Sequence, residues 1–212
     1  MQRFEALLSG ASGALHDRVL MQAAGCLVAP TVGALVPGWL LALPRQRALN
    51  FRELQHQKFC QPEAVVTEVR DHLGLSADEV IWFEHGPRVD GTPVGCGLDY
   101  AHIHILIRPP FEFSAFANKA TALSGLAWRP ASAGSAYADI KAGSSYLIAG
   151  CGNEVILTQE VEVTGSQFLR RVVAALVGNS DSWNYREHEH PENVAATVAL
   201  FASLEDAARR EG

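Results

Sequence analysis

The stretch Tyr100-Ala-His-Ile-His-Ile-Leu-Ile107 decides how this chain is interpreted. Apolar residues alternate with Tyr100, His102 and His104, which is the pattern of a β-strand that buries one face. Ala101 and the isoleucines face the core, while the two imidazoles lie side by side on the other, open face, about 7 Å apart at Cα. Imidazoles so arranged can be a nucleophile and its partner, two metal ligands, or residues without a chemical role.

The composition is that of an ordinary globular protein. The 212 residues are 48% hydrophobic and 19% charged, which is enough for one sizeable core. The net charge of −6 argues against binding long nucleic acid over a broad basic surface. The four cysteines form no C-x-x-C pair, no signal-peptide pattern is visible, and no apolar run reaches the roughly 18 residues of a spanning helix. We therefore expect a cytoplasmic protein without a membrane partner.

Apolar periodicity and turn residues predict a single α+β domain over residues 1–212, built on an antiparallel sheet. Strands are predicted at 26–29, 38–44, 80–84, 100–107, 146–149 and 155–163. Helices are predicted at 62–73, 111–123, 166–177 and 191–209, whereas 124–143 is expected to be irregular.

A glycine-rich loop, residues 86–97, directly precedes the histidine strand. Such a loop lets backbone N–H groups approach an anion closely. A neutral imidazole is a competent nucleophile toward phosphorus and forms a phosphoramidate, while a second imidazole can position the first or bind a phosphate oxygen. Loop and strand together indicate a phosphate site, which requires that a phosphate has a clear approach to His102.

The segments Phe83-Glu-His-Gly86 and Gly95-Cys-Gly-Leu-Asp-Tyr-Ala-His-Ile-His-Ile-Leu106 resemble the core of the histidine-triad (HIT-like) nucleotide hydrolases and transferases. The motif of that superfamily is His-φ-His-φ-His-φ-φ, where φ is apolar. Val36-Pro-Gly-Trp-Leu-Leu-Ala-Leu-Pro-Arg45 resembles the family strand that runs into a Pro-Lys/Arg turn. The resemblance is best over about residues 22–108, and it implies a HIT-like antiparallel sheet with flanking helices. Residues 109–212 then form a C-terminal extension of strands and helices.

The resemblance implies a role for each motif position. His102 matches the nucleophilic middle histidine, which attacks an α-phosphorus and forms a nucleotidyl-histidine, and His104 matches the third histidine, which supports the site. Tyr100 replaces the first histidine, and Trp39 lies where many members carry a further histidine. A tyrosine is a different proton donor, so the activity is either retuned toward an unusual substrate or weakened.

Substrate-binding residues are expected from three places. Glu84 falls where many members have an asparagine near the nucleotide, and the glycine-rich loop faces phosphate. Near the start of the helix predicted at 166–177, guanidinium groups would make an anion clamp. Here Gln167-Phe-Leu-Arg-Arg171 and Trp183-Asn-Tyr-Arg186 resemble elements of a bacterial HIT-like subgroup. The expected set is Glu84, Gly95, Gly97, Arg45, Gln167, Arg170 and Arg171.

Three functions follow as hypotheses. The first is a nucleotide phosphohydrolase or nucleotidyltransferase acting on dinucleoside polyphosphates such as diadenosine polyphosphate, on nucleotide phosphoramidates or on nucleotide sugars. Its covalent step requires no metal, although Mg²⁺ can accompany a polyphosphate, and many relatives are homodimers. The second is a nucleotide-binding protein that has lost catalysis. The third is a zinc hydrolase in which His102 and His104 share the metal with His85, Cys96 or Asp99.

Overall fold

A computed structural model describes residues 2–10, 13–55, 61–95, 100–159 and 161–211. Over these residues the fold is α+β, with an eight-stranded antiparallel sheet and flanking helices. The strands are β1 Met21–Ala23, β2 Cys26–Pro30, β3 Trp39–Pro44, β4 Val80–Gly86, β5 Ile103–Ile107, β6 Arg129–Ser132, β7 Tyr146–Cys151 and β8 Glu154–Gln159. The helices are α1 Gln2–Ser9, α2 Pro62–His72, α3 Phe113–Ser124, α4 Phe168–Leu176 and α5 Pro191–Glu211.

The strand order of the sheet is β1-β2-β3-β5-β4-β7-β8-β6. β5, which carries His104, therefore lies between β3 and β4 near the middle of the sheet. The strands of the C-terminal extension continue the same sheet, because β7 pairs with β4 along its length, with Phe83 opposite Ala149. The core and the extension predicted from the sequence thus share one set of backbone hydrogen bonds.

Helices cover both faces of the sheet. On one face, a core cluster packs strand residues against α2 and α5, through side chains such as Val69 and Phe201. On the other face, α3 and α4 cover Phe83 and its neighbours, and α1 covers the adjoining part of β2 and β3. Among the described residues, no helix combines the length and the apolar character needed to cross a membrane.

The sequence pattern predicted most helices and strands correctly, and the differences between the predicted and observed elements have physical causes. α2 begins at Pro62, which suits the first turn, and Gly74 follows it with φ of 63°. β1 and β6 were not predicted because both are short edge strands, and β6 contains Pro130, which edges tolerate. The histidine strand begins at Ile103 rather than at residue 100, since the Ala101 N–H bonds to the carbonyl of Ala48, outside the sheet.

Candidate functional site

The two histidines of the motif are neighbours near the middle of the sheet. His102 immediately precedes β5, and His104 lies within it, opposite Leu41 of β3 and Phe83 of β4. Their ring centroids are 5.2 Å apart. The residues are only 6% and 4% exposed, respectively.

The face that carries the imidazoles is covered, so the expectation of an open face was wrong. Phe4 of α1 packs against His102 with ring centroids 5.5 Å apart and against Tyr100 at 5.7 Å. Phe83 stacks on His104 at 4.7 Å. Alternation along a strand shows that there are two faces, but it does not show which helices pack on them. Phe4 of α1 is therefore one of the side chains that bury His102.

The hydrogen bond of His102 determines its tautomer. Its Nδ1 lies 2.8 Å from the backbone carbonyl oxygen of Tyr100. A carbonyl oxygen can only accept, so Nδ1 carries the proton and donates, and in the neutral ring Nε2 keeps its lone pair. A lone pair at a fixed position is what a nucleophile, a general base or a metal ligand requires.

The side chain of Tyr100 points to the end of β3. Its hydroxyl donates to the carbonyl of Pro44 at 2.8 Å, and the carbonyl of Arg45 lies at 3.4 Å. The contact of this residue with His102 is therefore made by its backbone carbonyl, which any residue would supply. The Arg45 side chain is exposed, and of this residue only the backbone is placed beside Tyr100.

Glu84 lies on the face opposite the imidazoles. Its neighbour Phe83 pairs with His104, and successive residues of a strand point to opposite faces. The carboxylate is fully buried and accepts hydrogen bonds from the Phe51 N–H and from the hydroxyls of Tyr137 and Tyr146. Glu84 therefore does not contact a nucleotide held on the histidine face, and the expectation that it does is corrected.

Arg170 is part of the buried framework and does not form a solvated clamp. It is 2% exposed, and its guanidinium donates to the carbonyls of Trp183 and Gly33. The same group lies over the ring of Trp39, 4.7 Å from its centroid. Gln167 is also buried and bonds to Asn184, so both residues tie α4 to segments that precede β3 and α5.

Arg171 points away from Arg170, and the two do not form a joint clamp. It donates to the Thr164 carbonyl and lines a cavity of about 290 Å³ together with Phe168 and Trp183. Gly95 lies in the short turn Pro93–Gly95, and Gly97 lies outside the described residues.

His85, to which the sequence pointed only weakly, joins the histidine cluster. Its ring centroid is 6.2 Å from that of His104, and its Nε2 accepts the Leu169 N–H at the start of α4. Burial is the main cause that lowers the pKa of His85 to about 3, followed by repulsion from His102 when it is protonated and from Arg170 and Arg171. It is therefore a neutral ring at physiological pH, with its proton on Nδ1.

The described residues contain no group of three or more His, Cys, Asp or Glu side chains that could hold a metal ion. Cys96 and Asp99, two of the candidate third zinc ligands, lie outside them. Comparison of the chain with known proteins found no family model that matches it, and no curated protein matches it either.

Proposed function

We propose that this protein is a cytoplasmic HIT-like nucleotide phosphohydrolase or nucleotidyltransferase in which His102 is the nucleophile. The observation that supports it best is the hydrogen bond from His102 Nδ1 to the Tyr100 carbonyl, which leaves the lone pair on Nε2. Because this bond uses the backbone of residue 100, replacement of the first motif histidine by tyrosine leaves the nucleophile oriented.

The proposed reaction has two steps. The Nε2 lone pair of His102 attacks an α-phosphorus and a P–N bond forms, while the bond from phosphorus to the leaving group breaks. That bond is P–O in a polyphosphate or nucleotide sugar and P–N in a phosphoramidate, whose amine leaves with a proton taken from solvent. Water or another acceptor then attacks the same phosphorus, the P–N bond breaks, and the acceptor's proton passes to the departing group or to solvent. The ring centroid of His104 lies 5.2 Å from that of His102, which is close enough for His104 to bind a phosphate oxygen during both steps.

The substrate class is a small nucleotide: a dinucleoside polyphosphate, a nucleotide phosphoramidate or a nucleotide sugar. The covalent step needs no metal, although Mg²⁺ can accompany a polyphosphate substrate. The resemblance to the HIT-like superfamily also leads us to propose a homodimer. Phe4 packs on His102 in the described arrangement, so the proposal includes an open state in which α1 leaves that ring.

A second candidate is nucleotide binding without turnover. The burial of His102 beneath Phe4 favours it, because a covered imidazole cannot reach phosphorus. The two candidates differ in one observable, since only the enzyme forms a covalent nucleotidyl-histidine.

The test compares the wild-type protein with His102→Ala on a panel of diadenosine tetraphosphate, adenosine phosphoramidate and a uridine diphosphate sugar. His72→Ala is the control, because His72 lies on α2, on the other side of the sheet, and bonds to Glu205. We expect turnover to fall about 1,000-fold or more in His102→Ala only. We also expect an acid-labile adduct of nucleotide mass on the wild-type chain.

Equal turnover in wild type and His102→Ala removes His102 from the chemistry. Micromolar binding of these nucleotides without turnover or adduct supports the binding protein instead. About one zinc per purified chain supports the zinc hydrolase.

A further inference from the structure

Trp39, at the start of β3, makes a directional contact with the histidine pair. The indole is fully buried, and its Nε1–H donates to Nδ1 of His104 at 3.0 Å. An indole nitrogen can only donate, so His104 Nδ1 must accept. In the neutral ring the proton of His104 is consequently on Nε2.

The indole packs against two further side chains besides His104. The Arg170 guanidinium lies 4.7 Å from the Trp39 ring centroid, and the Phe83 ring makes an edge-to-face contact with centroids 5.9 Å apart. Arg170 is itself anchored to the carbonyls of Gly33 and Trp183. A cation over an indole face is a favourable arrangement, strongest where water is excluded.

The two imidazoles therefore have opposite tautomers. His102 donates through Nδ1 to a carbonyl and keeps a lone pair on Nε2, whereas His104 accepts through Nδ1 and keeps a proton on Nε2. One ring with a lone pair and one with an N–H group, with centroids 5.2 Å apart, suit a phosphoryl centre, where the first attacks phosphorus and the second donates to a charged oxygen. Two metal ligands would both need a lone pair.

We propose that Trp39 is a positioning residue that holds His104 as an N–H donor and so commits the histidine pair to a phosphate oxyanion in preference to a metal ion. Its part in turnover rests on the proposed function, whereas the tautomer of His104 does not. Arg170 supports the arrangement by fixing the indole.

The direct test is long-range ¹H–¹⁵N NMR of protein labelled with ¹⁵N-histidine, which reports which ring nitrogen carries the proton. In the wild type we expect His102 protonated on Nδ1 and His104 on Nε2. Trp39→Phe keeps an aromatic ring but removes the donor, so the proton of His104 should redistribute between its two nitrogens. Trp82→Phe is the matched control, since Trp82 lies on the same sheet but faces the opposite core cluster.

Two probes connect the tautomers to ligand choice. Addition of AMP to the wild type should shift the His104 Nε2 resonance, and Trp39→Phe should bind AMP about twofold more weakly, with Trp82→Phe unchanged. Addition of Zn²⁺ to the wild type should leave the His104 imidazole unshifted.

A wild-type spectrum with His104 protonated on Nδ1 overturns the inference without use of any variant. So does a Trp39→Phe spectrum in which His104 is unchanged, or stoichiometric Zn²⁺ binding that shifts both rings. If the tautomers and AMP binding are as expected but no nucleotide in the panel is turned over, the proposed catalysis fails and the positioning role of Trp39 stands.

Discussion

Protonation of Glu84 should stabilise the fold in mild acid relative to a variant that lacks this carboxyl group. The carboxyl group is fully buried, on the side of the sheet away from the histidines. It accepts hydrogen bonds from the Phe51 N–H at 2.8 Å, the Tyr137 hydroxyl at 2.7 Å and the Tyr146 hydroxyl at 2.9 Å. Burial and the neighbouring carboxylate raise the pKa of both tyrosines well above the usual range, so they remain donors.

Two opposing effects set the pKa of Glu84. Burial favours the neutral acid and is the larger effect, while the three donors favour the carboxylate, and the result is a pKa of about 7 instead of 4.5. The folded state then holds this proton more tightly than the unfolded state does. The stabilisation is fully present below pH 4.5 and is lost as the pH rises through 7. At about 1.4 kcal/mol per pH unit, the loss totals about 3 kcal/mol.

The assay is urea unfolding followed by tryptophan fluorescence at several pH values from about 5 to 8. Glu84→Gln removes one titrating group but leaves His85, whose lowered pKa has the opposite effect, in both proteins. The free energy of unfolding at pH 8 minus that at pH 5 should therefore be about 2 kcal/mol more positive in Glu84→Gln than in the wild type. Its stability at pH 5 should also be lower, because one of the three donors loses its acceptor. Glu112→Gln, at an exposed position before α3, is the control and should follow the wild type.

Parallel curves for the wild type and Glu84→Gln over the whole range would refute this reasoning. They would mean that the three donors offset burial and that the carboxyl keeps its ordinary affinity for protons.

Three further substitutions test the framework around the site. Phe4→Ala should weaken the docking of α1 by about 3 kcal/mol. Diethylpyrocarbonate should then modify the His102 imidazole at least about tenfold faster than in the wild type. An unchanged rate of modification means that α1 does not limit access to His102. Arg170→Ala should lower the free energy of unfolding by about 3 kcal/mol in urea titrations, since two carbonyls lose their donor and an indole loses its cover. A Cβ on Gly86 would lie 2.1 Å from the Tyr146 ring. Gly86→Ala should therefore cost about 3 kcal/mol or prevent folding, whereas Gly13→Ala, with open space around its Cβ, should stay within about 0.5 kcal/mol of the wild type.

Elements with local signals could be predicted from the sequence. The helix predicted at 62–73 is observed at Pro62–His72, because Pro62 and Gly74 mark its ends within the same short stretch. The alternation around residue 104 predicted a strand, and β5 is one. The short edge strands β1 and β6 have no such signal, since three or four residues are too few to establish a period.

The positions of the predicted substrate-binding residues could not be derived in this way. Whether Glu84 shares a face with His104 depends on the register between β4 and β5, which pairs Phe83 with His104. Arg170 and Arg171 are adjacent in the chain, yet one lies over Trp39 and the other lines a cavity beside Trp183. Successive helix positions are rotated by about 100°, so neighbours in sequence need not act together.

The sequence by itself determined that two imidazoles lie two residues apart at the start of a strand and follow a glycine-rich segment, because residue spacing and strand periodicity are local properties. Only the tertiary structure decided which nitrogen of each ring carries the proton and what covers the pair. Trp39 reaches His104 across 65 residues of chain, and Phe4 reaches His102 from another element altogether. A hydrogen-bond partner and a packing partner are set by contacts between distant segments, and these exist only after the chain has folded.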